Sequence, residues 1–239
     1  MRAFNNENRD MVQNGELWLM GVAHGYFRTK YDANVVFDVG ANVGDWALRF
    51  HSISSASKIH CFELVKKTSQ ICKSNLAAID QIDVLPYGLS DKTEKIEVFL
   101  NGSSDVTSFY QRVDQEESAR DICDVVKGDD YVHENGIEKI SFLKIDAEGS
   151  EHLVLRGLEN TLRNDRIDLI QFEYGEFNIA SRVFLRDFYQ QLEKFKLGRL
   201  FPRWVEFSSW HKDLENFKAA NYVAVRKDLS DLKALLENG

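Results

Sequence analysis

Residues 37–46 read Phe37-Asp38-Val39-Gly40-Ala41-Asn42-Val43-Gly44-Asp45-Trp46. The apolar residues before Gly40 predict a buried strand, and the residues after Gly44 predict the start of a helix. The two glycines permit a tight turn in which the backbone closely approaches a ligand. A strand, a glycine turn and a helix in this order are typical of the nucleotide-binding edge of a doubly wound α/β sheet.

Short apolar runs recur along the chain and alternate with helical patterns. The main predicted strands are 34–39, 58–63, 81–85, 140–145 and 167–172, and the clearest helices are 68–78 and 151–162. This alternation predicts an α/β, doubly wound, Rossmann-like fold with a mostly parallel sheet. Strand-like pieces at 94–100 and 121–127 interrupt the alternation. A late strand pair, 200–207 and 221–226, is expected to run antiparallel to the rest.

The length of 239 residues and the lack of a proline-rich linker predict a single domain spanning residues 1–239. We expect an N-terminal capping or lid segment at 1–30, a catalytic core at 31–228 and a C-terminal helix at 229–239. The N-terminus is too polar for a secretory leader, and no apolar stretch approaches the length of a membrane span. These features predict a cytoplasmic protein.

The charge and the cysteines restrict the partners of the chain. With 30 basic and 38 acidic residues the net charge is −8, which disfavours nucleic acid as a partner. Cys61, Cys72 and Cys123 are odd in number and form no CxxC pair, so we predict free thiols in a reducing compartment. We therefore expect a small-molecule partner, and the sequence leaves the oligomeric state open.

The glycine turn departs from the dinucleotide fingerprint GxGxxG, in which backbone N–H groups hold a pyrophosphate. Asn42 and Asp45 occupy the second and third glycine positions, and the aspartate would repel a phosphate. Asp38 adds a carboxylate at the end of the strand. Such a turn suits S-adenosylmethionine (S-adenosyl-L-methionine), which has an ammonium, a sulfonium and an adenosine but no phosphate.

Glu63 ends the next predicted strand, where a carboxylate can accept hydrogen bonds from both ribose hydroxyls. In the alternative interpretation, Asp38 only caps the following helix and Glu63 is an ordinary surface acid. The succession of strand, glycine turn, helix, strand and glutamate favours binding of a nucleoside-type cofactor.

Four stretches resemble the FkbM-type methyltransferases: 36–44, 62–63, 88–91 and 142–151, the last containing Lys144-Ile145-Asp146-Ala147-Glu148-Gly149. The resemblance covers roughly residues 34–175. It implies a class I, S-adenosylmethionine-dependent enzyme that typically O-methylates hydroxyls of sugars, polyketides or related small metabolites. By position, it implies cofactor binding by Asp38, Gly40, Asn42, Gly44 and Glu63. It also implies that Asp146 and Glu148 lie beside the transferred methyl.

Two predicted strands end in acidic residues that can serve methyl transfer to a hydroxyl, which requires in-line geometry and removal of a proton. Asp146 and Glu148 follow one strand, and Glu173 follows another. His152 shares a helix face with Glu148 if the helix begins by Glu148, and the carboxylate would then raise the pKa of the imidazole. These four residues are the catalytic candidates. Asp146 is also a candidate cofactor contact, with helix capping as its alternative.

The same four side chains form an oxygen-rich set that can hold Mg²⁺. Acids at strand ends are common on these folds, so the spacing does not favour a required metal (Mg2+). A required metal is therefore not favoured, and the sequence leaves the metal requirement open.

Aromatic residues and one loop complete the candidates. Trp46, Tyr87 and Phe109 can stack on adenine or line an acceptor pocket, with core packing as their alternative. The polar loop 103–108 is a candidate cover for the crevice, with an ordinary surface loop as its alternative. The aromatic tail 201–211 is a candidate acceptor wall, a dimer contact or a pair of packed strands.

Two rival classes of function stay open at this point. A nicotinamide-dependent oxidoreductase is disfavoured by the missing glycines of the fingerprint. A non-catalytic module would bind cofactor or a partner on the same fold without turnover.

Overall fold

The computed structural model describes residues 10–100, 107–108, 110 and 119–239. Residues 1–9 of the predicted capping segment, residues 103–106 of the polar loop and Phe109 lie outside the described residues.

An eight-stranded sheet forms the centre of the fold. Its strand order is β11-β10-β12-β9-β8-β1-β2-β3. Its strands are β1 (Val35–Val39), β2 (Lys58–Phe62), β3 (Ile82–Leu85), β8 (Ile140–Ile145), β9 (Ile167–Tyr174), β10 (Phe195–Phe201), β11 (Trp204–Phe207) and β12 (Ala220–Arg226). The first five are parallel to one another, and β12 joins β9 in antiparallel orientation. This arrangement confirms the predicted α/β fold with a mostly parallel sheet and late antiparallel strands.

A smaller sheet forms between β3 and β8 in the sequence. Its order is β4-β7-β5-β6, and its strands are β4 (Gly88–Ser90), β5 (Glu94–Leu100), β6 (Thr107–Ser108) and β7 (Ala119–Lys127). The predicted extra strands 94–100 and 121–127 are therefore a pair, in antiparallel register.

Helices cover both faces of the large sheet. They are α1 (Glu16–Phe27), α2 (Asp45–Ile53), α3 (Lys66–Asn75), α4 (Gly128–Glu134), α5 (Glu151–Gly157), α6 (Glu159–Arg163), α7 (Phe177–Ser181), α8 (Leu185–Gln191) and α9 (Ser230–Asn238), with a 3-10 turn at Lys212–Leu214. One face packs against α1, α2, α3 and α9, and the other packs against α4, α5, α6 and α8. In the described part of the chain, none of these helices is long and apolar enough to span a membrane.

The first helix belongs to the core of the domain. Leu19, Met20 and Ala23 of α1 have no exposed surface and pack in the same cluster as Trp46 and Phe142. The segment predicted as a lid therefore contains a helix that is fixed against the sheet by buried apolar side chains. Burial of a side chain the size of Leu19 or Met20 stabilises the fold by about 1.5–3 kcal/mol.

Two predicted elements differ from the structure. The predicted helix 151–162 is divided, because α5 ends at Gly157 and α6 begins at Glu159. The predicted strand 200–207 is instead a hairpin, in which β10 and β11 pair from Gly198 with Phe207 to Phe201 with Trp204. Pro202 and Arg203 form its turn, since proline lacks the N–H that a ladder needs. Strand β10 therefore begins earlier than predicted, at Phe195.

Candidate active site

The predicted site residues meet at the edge where the parallel strands end. Val39, the last residue of β1, lies beside Phe62 of β2 and Ile145 of β8, and Ile145 lies beside Phe172 of β9. The residues that follow these four positions are therefore neighbours: Gly40, Glu63, Asp146 and Glu173. We call this row the carboxyl edge. In doubly wound sheets, ligands bind in the crevice outside this edge.

The glycine turn is built from backbone contacts. Gly40 has φ +77° and Gly44 has φ +93°, values that side chains disfavour. The Gly40 and Ala41 N–H groups donate to the Phe62 carbonyl at 2.9 and 3.0 Å. A Cβ on Gly40 would overlap the backbone of Asp146, so the turn after β1 lies directly against the turn after β8.

The second glycine sits against the third helix. A Cβ on Gly44 would lie 2.8 Å from Leu76 Cδ1 and 3.0 Å from Cys72 Sγ. Asn42, between the two glycines, has a positive φ of 50°, a conformation that asparagine tolerates better than most residues. Each of the three predicted turn positions therefore carries a residue type that its backbone conformation favours.

Glu63 holds the glycine turn from the neighbouring strand. Its Oε2 accepts from the Asn42 N–H at 3.0 Å and its Oε1 accepts from the Val65 N–H at 2.9 Å. Burial raises the pKa of this carboxyl, whereas the two backbone donors and Lys144 oppose that rise. A carboxylate has about four acceptor positions, so two remain for further donors. Glu63 is therefore a structural brace that also keeps capacity to accept from a ligand.

Asp38 and Lys144 form a buried ion pair beneath the turn. Lys144 Nζ lies 3.1 Å from Asp38 Oδ1, and Asp38 has no exposed surface. The same ammonium lies 3.6 Å from Asp146 Oδ2 and donates to the Gly40 carbonyl at 3.3 Å. The sequence reasoning did not select Lys144. The available signal was a lysine inside a strand whose other residues are all apolar or small.

The turn after β8 carries Asp146 toward the crevice and Glu151 toward the interior. The Asp146 side chain is 41% exposed, whereas Glu151 is 1% exposed. Glu148 and Gly149 have positive φ values of 48° and 97°. Glu151 Oε1 accepts from the N–H groups of Ala147 and Gly149, at 2.9 and 3.1 Å. Glu151 thus fixes the strained turn that presents Asp146.

Glu173 lies beside Asp146 near the end of β9, and its side chain is partly buried. Burial, followed by the charges of Asp146 and Glu151, raises the pKa of Glu173 to about 8, although Lys144 opposes the rise. At neutral pH Glu173 therefore keeps its proton and can donate a hydrogen bond to the neighbouring Asp146 side chain. Two carboxyl groups with different protonation at one edge are a usual arrangement for acid–base chemistry.

The condition for pairing Glu148 with His152 is not met. Helix α5 begins at Glu151, and Glu148 lies before it in the left-handed conformation. Burial, followed by the charge of Arg156, lowers the pKa of His152 instead of raising it. His152 stands on the first turn of α5, and its backbone carbonyl accepts from the Gln191 side chain at 3.0 Å.

Trp46 lies in the core. Its ring is 4% exposed, stacks on Phe50 with centroids 5.3 Å apart and meets Phe142 edge-on. Trp46 therefore points from α2 toward the sheet, where Phe50 and Phe142 cover its ring. Tyr87 is partly buried and lies near the rings of Phe62 and Tyr131, with centroids 6.2 and 6.4 Å away.

Glu215 connects the end of β9 to two neighbouring segments. Glu215, in the connection 208–219 between β11 and β12, accepts from Tyr174 Oη at 2.7 Å and from Trp210 Nε1 at 2.8 Å. It also accepts from the N–H groups of Leu185 and Arg186 at the start of α8. These bonds lower the pKa of Glu215 despite its burial. One carboxylate therefore ties this connection to the end of β9.

The acidic residues do not assemble as a metal site. Within residues 10–100, 107–108, 110 and 119–239, no group of three or more His, Cys, Asp or Glu side chains is placed to hold a metal ion.

Glu151 gives the fold a specific dependence on pH. Burial raises its pKa from the usual 4.5 to about 7, so the folded state binds this proton more tightly than the unfolded chain. The resulting stability is complete below pH 4.5 and is lost as pH rises to about 7, a change on the order of 3 kcal/mol. Glu151→Gln is expected to remove this fall in the free energy of unfolding.

Urea unfolding of both proteins between pH 4.5 and 8.5 measures this effect. Glu173 contributes a fall of the same sign up to about pH 8, and the charge of Glu151 is one cause of its raised pKa, so the difference between the two proteins measures Glu151 together with this coupling. If the free energy of unfolding changes with pH in the same way in both proteins, ionisation of Glu151 does not destabilise the fold.

The fold and the site define the class of protein. The doubly wound sheet, the glycine turn after β1, the glutamate after β2 and the acids after β8 are the features on which the resemblance to a methyltransferase rests. The family profile described as Methyltransferase FkbM domain matches residues 38–206. The chain belongs to this methyltransferase family, which confirms the resemblance seen in the sequence.

Named relatives are methyltransferases as well. The chain is 27% identical over 191 residues to the 2-O-methyltransferase NoeI of Sinorhizobium fredii, covering 72% of this chain and 76% of that protein. It is 26% identical over 148 residues to the hexuronic acid methyltransferase AglP of Haloferax volcanii, covering 59% and 57%. A precorrin-6y C5,15-methyltransferase from Geobacter metallireducens aligns at a TM-score of 0.47 and 7% identity, covering 89% and 88%.

Proposed function

We propose that this methyltransferase moves a methyl group from S-adenosylmethionine to a hydroxyl of a sugar or a related small metabolite. The observation that carries the proposal is the row of Gly40, Glu63, Asp146 and Glu173 at one sheet edge. The relatives support the acceptor class, because one is named a 2-O-methyltransferase and the other a hexuronic acid methyltransferase.

The residues present fit this cofactor. The two glycines leave a surface free of Cβ atoms, and Asn42 closes the turn between them. Glu63 retains acceptor positions for the ribose hydroxyls, since each of its oxygens accepts one backbone N–H. Asp45 stands exposed at the start of α2, where it would repel the pyrophosphate of a dinucleotide. When bound, S-adenosylmethionine supplies an electrophilic methyl on a sulfonium.

In this proposal the exposed acid at the carboxyl edge handles the acceptor. Asp146 accepts a hydrogen bond from the acceptor hydroxyl and takes its proton as the oxygen attacks. Glu173, protonated at neutral pH, donates to Asp146 and keeps the second Asp146 oxygen directed at the acceptor. Glu151 holds the turn in place through the Ala147 and Gly149 N–H groups. A positioned base of this kind contributes about 10²- to 10⁴-fold to a rate.

Calorimetric titration with S-adenosylhomocysteine tests the cofactor, with NAD as the control ligand. Micromolar binding of S-adenosylhomocysteine alone would support the proposal. Preference for NAD, or no binding, would refute it. A protein that binds S-adenosylhomocysteine but methylates no acceptor would be the non-catalytic module that the sequence left open.

Asp146→Asn tests the base. With radiolabelled S-adenosylmethionine and a panel of hexuronic acids and neutral sugars, turnover is expected to fall about 100-fold or more. Affinity for S-adenosylhomocysteine is expected to stay within about threefold, since the amide keeps the shape of the side chain. Equal turnover by both proteins would remove Asp146 from the chemistry.

The location of the protein is part of the same proposal. We propose a cytoplasmic enzyme, supported by the free and buried state of Cys61, Cys72 and Cys123. The net charge of −8 supports a small-molecule acceptor over nucleic acid.

A further inference from the structure

Three polar residues lie side by side across the centre of the sheet. Asp38 of β1 is in register with Lys144 of β8, and Lys144 is in register with Gln171 of β9. Gln171 continues the row to α1, since its Nε2 donates to Glu16 Oε1 at 2.6 Å. All four residues are buried, on the face that otherwise packs apolar side chains against α1, α2 and α9.

Lys144 is the point where this buried row meets the carboxyl edge. Its Nζ contacts the enclosed Asp38 carboxylate, the Gly40 carbonyl and the exposed Asp146 carboxylate, at 3.1, 3.3 and 3.6 Å. Its side chain is only 7% exposed. Gly40 belongs to the turn assigned to the cofactor, and Asp146 belongs to the acceptor side. One ammonium therefore bonds both halves of the crevice at once.

Asp38 is placed to hold Lys144. Its side chain has no exposed surface, and its Oδ1 lies 3.1 Å from the ammonium. Burial alone lowers the pKa of Lys144, but Asp38 and Asp146 together raise it above its ordinary value, so the side chain stays charged. A buried charge without its partner is strongly destabilising. The ion pair with Asp38 thus fixes the position of the Lys144 ammonium below the crevice.

We propose that Lys144 is a positioning residue for methyl transfer, which aligns the Gly40 turn with the Asp146 carboxylate. This inference rests on the proposed function, because that function assigns Gly40 to the cofactor and Asp146 to the acceptor. A purely structural Lys144 would only neutralise Asp38. The two roles predict different affinities for the cofactor when Lys144→Met is compared with a control variant that also loses a buried cation.

A second buried ion pair lies at the opposite edge of the sheet. Arg226 of β12 lies 2.9 Å from Asp168 of β9, and the two side chains are 9% and 0% exposed. Arg226→Met removes a buried cation far from the carboxyl edge, although Asp168 keeps Lys139 at 3.0 Å and the Tyr31 hydroxyl at 2.6 Å. It therefore controls for the loss of a buried cation at a remote site, and the double variant controls for the unpaired Asp38. The double variant Asp38→Asn/Lys144→Met removes both charges and leaves no buried ion unpaired.

The experiment is calorimetric titration of the four proteins with S-adenosylhomocysteine, at a temperature where circular dichroism shows each one folded. Lys144→Met and the double variant are expected to bind S-adenosylhomocysteine at least about tenfold more weakly, because each loses one charge-assisted hydrogen bond at the turn. Arg226→Met is expected to stay within about twofold of the wild type, because its pair is remote. If Lys144→Met does not fold, the double variant gives the result alone.

A second readout uses pH and tests whether the charge of Lys144 reaches the acids of the carboxyl edge, which the charge of Arg226 does not. The groups that face Glu173 are Asp146, Glu151 and Lys144, and Lys144 lowers its pKa from the value that burial and the acids impose. The cation S-adenosylmethionine should bind more tightly once Glu173 ionises, with a midpoint near pH 8 in the wild type. The midpoint is expected to move to higher pH in Lys144→Met and to stay in Arg226→Met.

The outcomes separate this inference from the proposed function. Wild-type protein that does not bind S-adenosylhomocysteine would refute the proposed function itself. Wild-type binding that persists at full strength in the double variant would refute only the role of Lys144. Equal losses in Lys144→Met and Arg226→Met would also overturn it, since they would show a general effect of destabilisation.

Discussion

Gly40→Ala is expected to eliminate measurable binding of S-adenosylhomocysteine and to lower the free energy of unfolding by about 3 kcal/mol or more. The added Cβ would overlap the Asp146 carbonyl oxygen, a backbone atom that cannot move without β8. The φ of +77° also strains any residue other than glycine. Relief of the overlap must separate the two turns, which removes the surface proposed for the cofactor.

The control is Gly21→Ala on α1. Nothing lies within 4 Å of a Cβ at Gly21, which is exposed in a helix interior. This substitution is expected to raise stability by up to about 1 kcal/mol and to leave binding unchanged. Titration calorimetry and urea unfolding of both variants measure the contrast. A Gly40→Ala protein with wild-type affinity would mean that the turn does not form the binding surface.

Glu63→Gln is the substitution with the next largest expected effect, a loss of about 100-fold in affinity for S-adenosylhomocysteine. The carboxylate braces Asn42 and Val65 through two N–H groups and has acceptor capacity left for two ribose hydroxyls. An amide supplies one acceptor oxygen, and its NH₂ group faces an N–H that also donates. The variant therefore weakens both the turn and the proposed ribose contact.

Asp45→Asn provides the matched control for charge near the turn. Asp45 is exposed at the start of α2, and its removal changes the same net charge without touching Glu63. Its expected cost is about 0.3–1 kcal/mol of stability, with affinity inside about twofold. If Glu63→Gln and Asp45→Asn bind alike, the assignment of the ribose to Glu63 is wrong.

The sequence predicted the parts of the fold that depend on neighbouring residues in the chain. The strands before Gly40 and Asp146 are short, apolar and bounded by turn residues, so their positions and ends were predictable. The carboxyl edge then follows from topology, since parallel strands end on one side. Gly40, Glu63, Asp146 and Glu173 could be brought together from that argument alone.

The missed residues depend on contacts that are distant in sequence. The role of Lys144 depends on its ion pair with Asp38, which lies on another strand. A single sequence does not show that the two residues are paired in the sheet. Glu151 has no local signal either, because an acid in the first turn of a helix usually faces solvent, whereas here it turns inward to two N–H groups. Trp46 shows the converse. An aromatic residue after a glycine turn carries no local sign of which side of its helix is buried.

The hairpin of β10 and β11 shows a limit of another kind. Pro202 sits in the middle of an apolar run, and a proline in such a run permits either an interrupted strand or a turn. Only the pairing of Leu200 with Val205 decides between them. Register is a property of two strands, so periodicity within one strand does not reveal it.

Glu215 has a consequence for how this enzyme can be redesigned. Because its carboxylate joins four donors from β9, α8 and Trp210, the connection 208–219 is divided into two short arms with a fixed midpoint. Short arms have less conformational entropy than one long loop. A chimera that exchanges the whole connection would release α8, and exchange of 208–214 would remove the Trp210 donor. Exchange of 216–219 alone would keep all four bonds to Glu215. The second arm is thus the segment that can be grafted independently.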